Sequence, residues 1–230
     1  MDYTRIAAIA EMIKPDKTAA DIGTDHAQLA LYMLEKGMVP DMIISDLNEG
    51  PFLRAHHAAA SSLFHDKIDV RKGNGLQVLE KGEAFNVILA GMGGDTIVDI
   101  LTYDLEKSRS FSHYVLQPMS KPQRVRQFLA AQGWPLLQEK VVRENQRLFI
   151  ILSTCPGECP YHLSPLEMDI GPLILKDFQQ AVVKEYLYSW LKKYRSAAAG
   201  LAHAETGRSG ALKQQFAEKI RKLEEILLDG

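Results

Sequence analysis

Residues 18–37 read TAADIGTDHAQLALYMLEKG. The stretch opens with a short apolar run, Ala19-Ala20-Asp21-Ile22, and breaks at Gly23-Thr24-Asp25-His26. It resumes with apolar residues at helical spacing, Ala27, Leu29, Ala30, Leu31, Met33 and Leu34, and Gly37 supplies a stop. Strand, glycine turn, helix is the unit with which an α/β fold brings backbone N–H groups and a helix N-terminus up to a ligand. Asp21 is polar where a buried strand should be apolar, which assigns it a local hydrogen-bonding job.

The turn does not spell the dinucleotide fingerprint G-x-G-x-x-G. Two of the three glycines are missing, and Asp25 stands beside the first. An aspartate there repels a pyrophosphate but tolerates a cationic ligand. S-adenosylmethionine carries a sulfonium and no phosphate, and D-x-G-x-x is the looser turn of Rossmann-type methyltransferases. Taken alone, the turn reads equally well as an ordinary βα loop.

The chain around it has 230 residues, 46% hydrophobic and 24% charged, enough for a full core plus an appendage. A net charge of −2 gives no global sign of a nucleic-acid binder, although a local basic patch is compatible with it. The amphipathic start MDYTRIAAIAEMI has acids where a signal peptide carries a basic segment, and no run of 18 apolar residues exists. Two cysteines make no disulfide framework. We expect a soluble cytoplasmic protein with no membrane partner.

Taken in order, residues 3–13 predict a helix and 41–45 a second strand ending at Asp46, twenty-three residues after Gly23. An acid at that place is set to accept from both ribose hydroxyls of a nucleoside. The competing role is a helix N-terminal carboxylate, since Asn48, Gly50 and Pro51 open the next helix. His56 and His57 on that helix are adjacent and cannot share a face. Residues 67–71 predict a third strand. The turn Gly73-Asn74-Gly75-Leu76 follows, where a nucleoside fold reads the adenine edge, unless G-N-G is only a tight turn. Residues 85–90 form the fourth and most apolar strand, followed at once by a turn at Gly91-Met92-Gly93-Gly94. Residues 112–116 predict a fifth strand ending at Gln117-Pro118, then a helix over 121–131. Strands over 136–144 and 147–154, joined by a polar turn, predict a β-hairpin. Four strand ends carrying Gly or Asp lie on the ligand-binding edge of such a sheet.

Cys155, Cys159 and His162 offer three ligands without the second pair a structural zinc site needs, so the segment reads as a linker with no metal. Beyond Gly171-Pro172 the apolar period changes. Val183, Leu187, Trp190, Tyr194, Ala197 and Leu201 form one seam of the coiled-coil kind; Leu212, Phe216, Ile220, Leu223 and Leu227 form another. The polar stretch HAETGRSG lies between them, as in a helical hairpin. Ten Lys/Arg face nine Asp/Glu from residue 161 onward, with a basic stripe on the two helices as one reading and a padding or dimerising bundle as the other.

The set ADIGTDHAQLA, SDLNEGP, GNGL, ILAGMGG and LQP, followed by a hairpin opening with GPLIL, resembles the bacterial tRNA (adenine-N1)-methyltransferases that act at position 22, over nearly the whole chain. The resemblance implies an α/β, Rossmann-like class I methyltransferase sheet over residues 1–160, using S-adenosylmethionine. It also implies a coiled-coil hairpin over 161–230 that binds tRNA. Asp21, Gly23, His26, Asp46, Leu47, Asn74, Gly75, Gly91, Met92 and Gln117 are its implied cofactor residues, and Asp25 is our catalytic candidate. The chain departs from the family at Asn74, where Asp is typical, and at Gln28 and Ala30, where Tyr and Pro are usual. The alternatives are a small-molecule methyltransferase and a non-catalytic cofactor- or RNA-binding protein of the same fold.

Overall fold

The protein is described by a computed structural model covering residues 4–24, 26–201 and 207–228. It divides into two units, Met1–His162 and Leu163–Gly230.

The first unit is built on a seven-stranded sheet of order β3-β2-β1-β4-β5-β7-β6. Its strands are β1 (Ala19–Ile22), β2 (Met42–Asp46), β3 (Ile68–Lys72), β4 (Asn86–Gly93), β5 (His113–Ser120), β6 (Leu136–Glu144) and β7 (Arg147–Thr154). The first five are parallel, and β7 enters antiparallel between β5 and β6. This is the doubly wound arrangement with a terminal hairpin that the alternating pattern predicts. Strand order reverses at β1, so the ligand crevice of the fold lies between the carboxyl ends of β1 and β4.

Helices α1 (Thr4–Ala10), α2 (Gln28–Glu35) and α3 (Glu49–Ala60) share one core with Met42, Ile44, Ile88 and Val115. Strand alternation turns Val87 and Leu89 to the opposite face, where α4 (Gly94–Tyr103) and α6 (Pro122–Gln132) pack, with the short α5 (Leu105–Ser108) beside them. Fully buried Trp134 stacks there on Tyr114 at 5.2 Å and Phe128 at 5.7 Å. Arg126 of α6 and Glu139 of β6, both with wholly buried side chains, pair at 2.7 Å.

The ends of β4, β5 and α1 differ from the sequence expectation. β4 does not stop at Ala90 but continues through Gly93, and β5 continues through Ser120, because two irregularities of register let them keep pairing past Pro118. α1 ends at Ala10, and residues 11–13 form hydrogen-bonded turns. The segment read as a linker is packed rather than free. Arg109 donates to the Gly157 carbonyl at 2.9 Å, and Tyr161 to the Trp134 carbonyl at 3.0 Å.

The second unit contains α7 (Pro165–Ile170), α8 (Pro172–Lys176), α9 (Ala181–Gly200) and α10 (Gly207–Leu228). A capping box opens α7, with Ser164 and Glu167 exchanging hydrogen bonds. α9 and α10 pack on each other through Tyr194 and Phe216. The buried side of α9 comprises Val183, Tyr186, Leu187, Leu191 and Tyr194. Trp190 sits half-buried at its margin, so the apolar stripe is wider than a strict heptad seam. α10 begins at Gly207, inside the stretch expected to be loop; first-turn N–H groups need no intrahelical partner. The loop's residues 202–206 lie outside the described residues.

Candidate active site

The turn after β1 is pinned from the neighbouring strand: the Ser45 carbonyl accepts from Gly23 N–H at 2.7 Å and Thr24 N–H at 2.9 Å. Gly23 sits at φ +82°, and a Cβ there would collide with the methyl end of Met92. Glycine is therefore favoured by the backbone conformation, while the flexible end of Met92 could move aside for a side chain. His26 and Ala27 follow in the left-handed region at φ +61° and +53°. Two consecutive non-glycine residues there cost about 1–2 kcal/mol each, a strain that tertiary packing must hold. Asp25, between them and Thr24, lies outside the described residues.

A cavity of about 310 Å³ opens in the β1/β4 crevice, lined by Arg5, Asp21, Gly23, Thr24, His26, Gln28 and Gly91 among others. Asp21 is 5% exposed. Burial pushes its carboxyl up to about 6, the hydrogen bond from Thr24 opposes this, and the Asp46 charge adds to it. The local hydrogen-bonding job expected of Asp21 is thus with Thr24. Gly91 has φ +79° and nothing within 4 Å of where a Cβ would lie, so its α-carbon borders open space. Met92 leans over Gly23 instead, leaving the room beside Gly91.

Asp46 ends β2. One of its oxygens accepts from Asn48 N–H at 2.7 Å, and its carbonyl accepts from Gly73 N–H at 3.1 Å. The carboxylate takes the competing role, steadying the entry to α3, and is half-exposed at the carboxyl end of its strand. Leu47 beside it is 56% exposed. Asn74 and Gly75 open a 3₁₀ turn, Gly75–Val78, and line a second cavity of about 310 Å³ with Leu76 and with Thr96, Asp99 and Tyr103 of α4. Gly75, at φ +54°, touches Ile100 where a Cβ would stand, which seats the β3 turn on α4.

Gln117 is placed differently from the rest. It has no exposed surface and lies beneath the crevice, accepting from Gly91 N–H and from Arg5 Nη1, each at 3.1 Å. Nothing in the local pattern of the chain singles out Arg5. Its Nε donates to Glu144 at 3.1 Å, and its guanidinium lies 5.0 Å over the Phe149 ring. Read along the chain, Arg5 is one charge in a short helix and Glu144 a turn residue. Only the sheet order brings them together.

With this geometry in view, the comparisons with known proteins are specific. Residues 3–152 match the family model of the methyltransferase domain. The chain belongs to the methyltransferase-domain family. Its match spans β1 to β7 up to Leu152 and so contains both cavities. Beyond the domain, the chain is 27% identical to the tRNA (adenine(22)-N(1))-methyltransferase of Bacillus subtilis, across 98% of this chain and 97% of that one. The crystal structure of the B. subtilis M1A22 tRNA methyltransferase TrmK superposes with a TM-score of 0.84 at 27% identity, covering 97% of each chain. A Streptococcus pneumoniae protein solved in complex with S-adenosyl-L-methionine gives 0.80 at 26% identity, covering 99% of this chain and 100% of that one. The motif resemblance is borne out along the whole chain. No helix among the described residues is long and apolar enough to cross a membrane.

Proposed function

We propose that the protein is an S-adenosylmethionine-dependent methyltransferase that methylates N1 of adenine 22 in tRNA, in the cytoplasm. The carrying observation is the end-to-end similarity to the B. subtilis enzyme, which includes the helical unit that a small-molecule methyltransferase would not need.

The site's chemistry suits the cofactor. Asp21 places negative charge in a cavity meant for a sulfonium, Arg5 offers a cation to a carboxylate, and Gly91 leaves open space between them. Asp46 would hold the ribose hydroxyls, and Leu47, Asn74 and Gly75 the adenine. Gly23, His26 and Met92 would border the reactive end, with Gln117 beneath it. When bound, S-adenosylmethionine supplies an electrophilic methyl group whose transfer to the in-plane lone pair of N1 returns the carbon–sulfur pair to sulfur and moves the positive charge onto the base. No proton has to leave N1 first, so the chain's task is to orient the base and stabilise the growing charge. A carboxylate accepting from the adenine N6 amino group does both, and Asp25 is assigned this role from its place two residues after Gly23. The base must leave its stack to arrive there.

The second unit is assigned to tRNA. Its basic residues do not form an open stripe: Arg195 pairs with Glu224, Arg221 with Glu225, Lys222 with Glu218 and Lys219 with Asp169. Lys192 and Lys193 are exposed on α9, beside exposed Tyr188, and are the residues we assign to phosphate contact.

The deciding experiment is transfer of a radiolabelled methyl group to unmodified tRNA, with a tRNA altered at position 22 as control. Label at adenine 22 supports the assignment. Cofactor binding without labelled tRNA would favour the non-catalytic alternative.

A further inference from the structure

We infer that Gln117 is a positioning residue, which holds Gly91 and Arg5 in the conformation used by the reaction and acts on the acceptor base only through them; this rests on the methyltransferase assignment above. The parallel ladder of β4 and β5 is regular as far as Ala90 opposite Gln117, then resumes at Met92 opposite Pro118. Gly91 is the extra residue of this bulge and faces no residue of β5 in the ladder. The Gly91 N–H would be left without a strand partner. The Gln117 side chain supplies the missing acceptor.

The same Oε1 takes Arg5 Nη1 through its second lone pair, and Nε2 lies 3.5 Å from the Met119 sulfur. The amide therefore has one workable orientation, since a flip would turn its NH₂ toward two donors. Arg5 is anchored on its far side by Glu144, through both Nε and its backbone N–H. A chain of contacts thus runs from Glu144 through Arg5 and Gln117 to Gly91, a glycine whose α-carbon borders the open cavity. Gly91 needs such a hold. At φ +79° it occupies one of several conformations open to glycine, and the loss of its amide partner frees it to leave that one. The wall against which a base would lie is therefore set by a side chain that is itself fully buried.

Three variants test this: Gln117→Leu removes the acceptor at similar size, Gln117→Ala removes it and leaves a gap, and Gln117→Glu retains an oxygen for both donors. In the protein alone, amide hydrogen exchange at Gly91 should accelerate about tenfold or more in Gln117→Leu and stay near wild type in Gln117→Glu. On tRNA, kcat should fall on the order of tenfold to a hundredfold in Gln117→Leu with KM for tRNA little changed, and Gln117→Glu should restore most of it. Gln117→Ala carries the same readouts if Gln117→Leu does not fold. Unchanged Gly91 exchange in a folded Gln117→Leu or Gln117→Ala overturns the inference. So does wild-type kcat in a variant whose Gly91 amide has lost protection, or a Gln117→Glu as impaired as Gln117→Leu. Absence of methyl transfer by the wild-type protein would instead sink the assigned activity, while the exchange measurement would still decide whether Gln117 holds Gly91.

Discussion

Asp21 makes the cavity of the β1/β4 crevice sensitive to pH in a direction opposite to that of most native carboxylates. Its carboxyl is raised from 3.8 to about 6, chiefly by burial. That difference of about 2 units corresponds to about 3 kcal/mol. Below the unfolded value both states carry the proton and nothing is at stake. Between about 4 and 6 the unfolded chain ionises while the folded one keeps its proton. Above 6 the folded chain is ionised too, and the full cost of about 3 kcal/mol is present. The ligand-free protein should therefore lose this stability as pH rises from about 4 to 6. Asp21→Asn should melt higher than wild type at pH 8, by up to about 6–12 °C for a chain of this size. A cation in the cavity reverses the balance, because it favours the ionised carboxylate. S-adenosylmethionine should bind about tenfold more weakly at pH 5 than at pH 7.5. Calorimetry at pH 5.5 in two buffers of different ionisation enthalpy should report proton release on binding. In Asp21→Asn affinity should be lower at pH 7.5 and flat with pH. A wild-type dissociation constant that does not change between pH 5 and 7.5 would refute the coupling, as would an unaltered pH dependence in Asp21→Asn.

Asp46→Asn can keep the bond to Asn48 N–H but loses the charge, so cofactor affinity should fall by about 1–3 kcal/mol with little change in melting temperature; equal calorimetric affinity would remove Asp46 from the ribose site. Asp25→Asn should lower kcat about tenfold or more while cofactor affinity holds; wild-type turnover would leave it without a catalytic part. Replacing Lys192 and Lys193 together by Glu should weaken tRNA binding and reduce the slope of log affinity against log salt by about 2, with cofactor affinity unchanged; an unaltered slope would move the phosphate contacts elsewhere. Glu139→Gln should cost about 3–5 kcal/mol in denaturant unfolding by removing the buried charge that faces Arg126, and Arg126→Met with Glu139→Leu should recover most of it.

Local chemistry made much of this fold legible in the sequence. Gly23 and Gly75 announce turns that only a residue tolerant of positive φ can make, and the run from Val87 to Leu89 is apolar because both faces of its strand are covered. Asp46 could be placed because strand ends in a βαβ unit fall at predictable distances from the first turn. What stayed hidden depends on pairing far along the chain. The extension of β4 to Gly93 needs its partner's bulge, which no run of residues reveals. Arg5 meets Glu144 across 139 positions, and Gln117 looks like the end of a strand until its side chain is seen filling a gap in the ladder. The basic residues of α10 suggested an open surface because the composition does not show which acids lie a turn away.

The order of strands carries a consequence for how the protein is made. Among the described residues β6 is an edge strand paired with β7, and β7 is the strand that docks on β5. α1 packs on β6, and Arg5 is fastened to its last residue. α1 therefore completes its packing only once the hairpin of β6 and β7 is in place. A nascent chain that lacks β7 has its glycine turns but not the docked hairpin that fastens Arg5 beside the cavity, so ligand competence should appear late during synthesis.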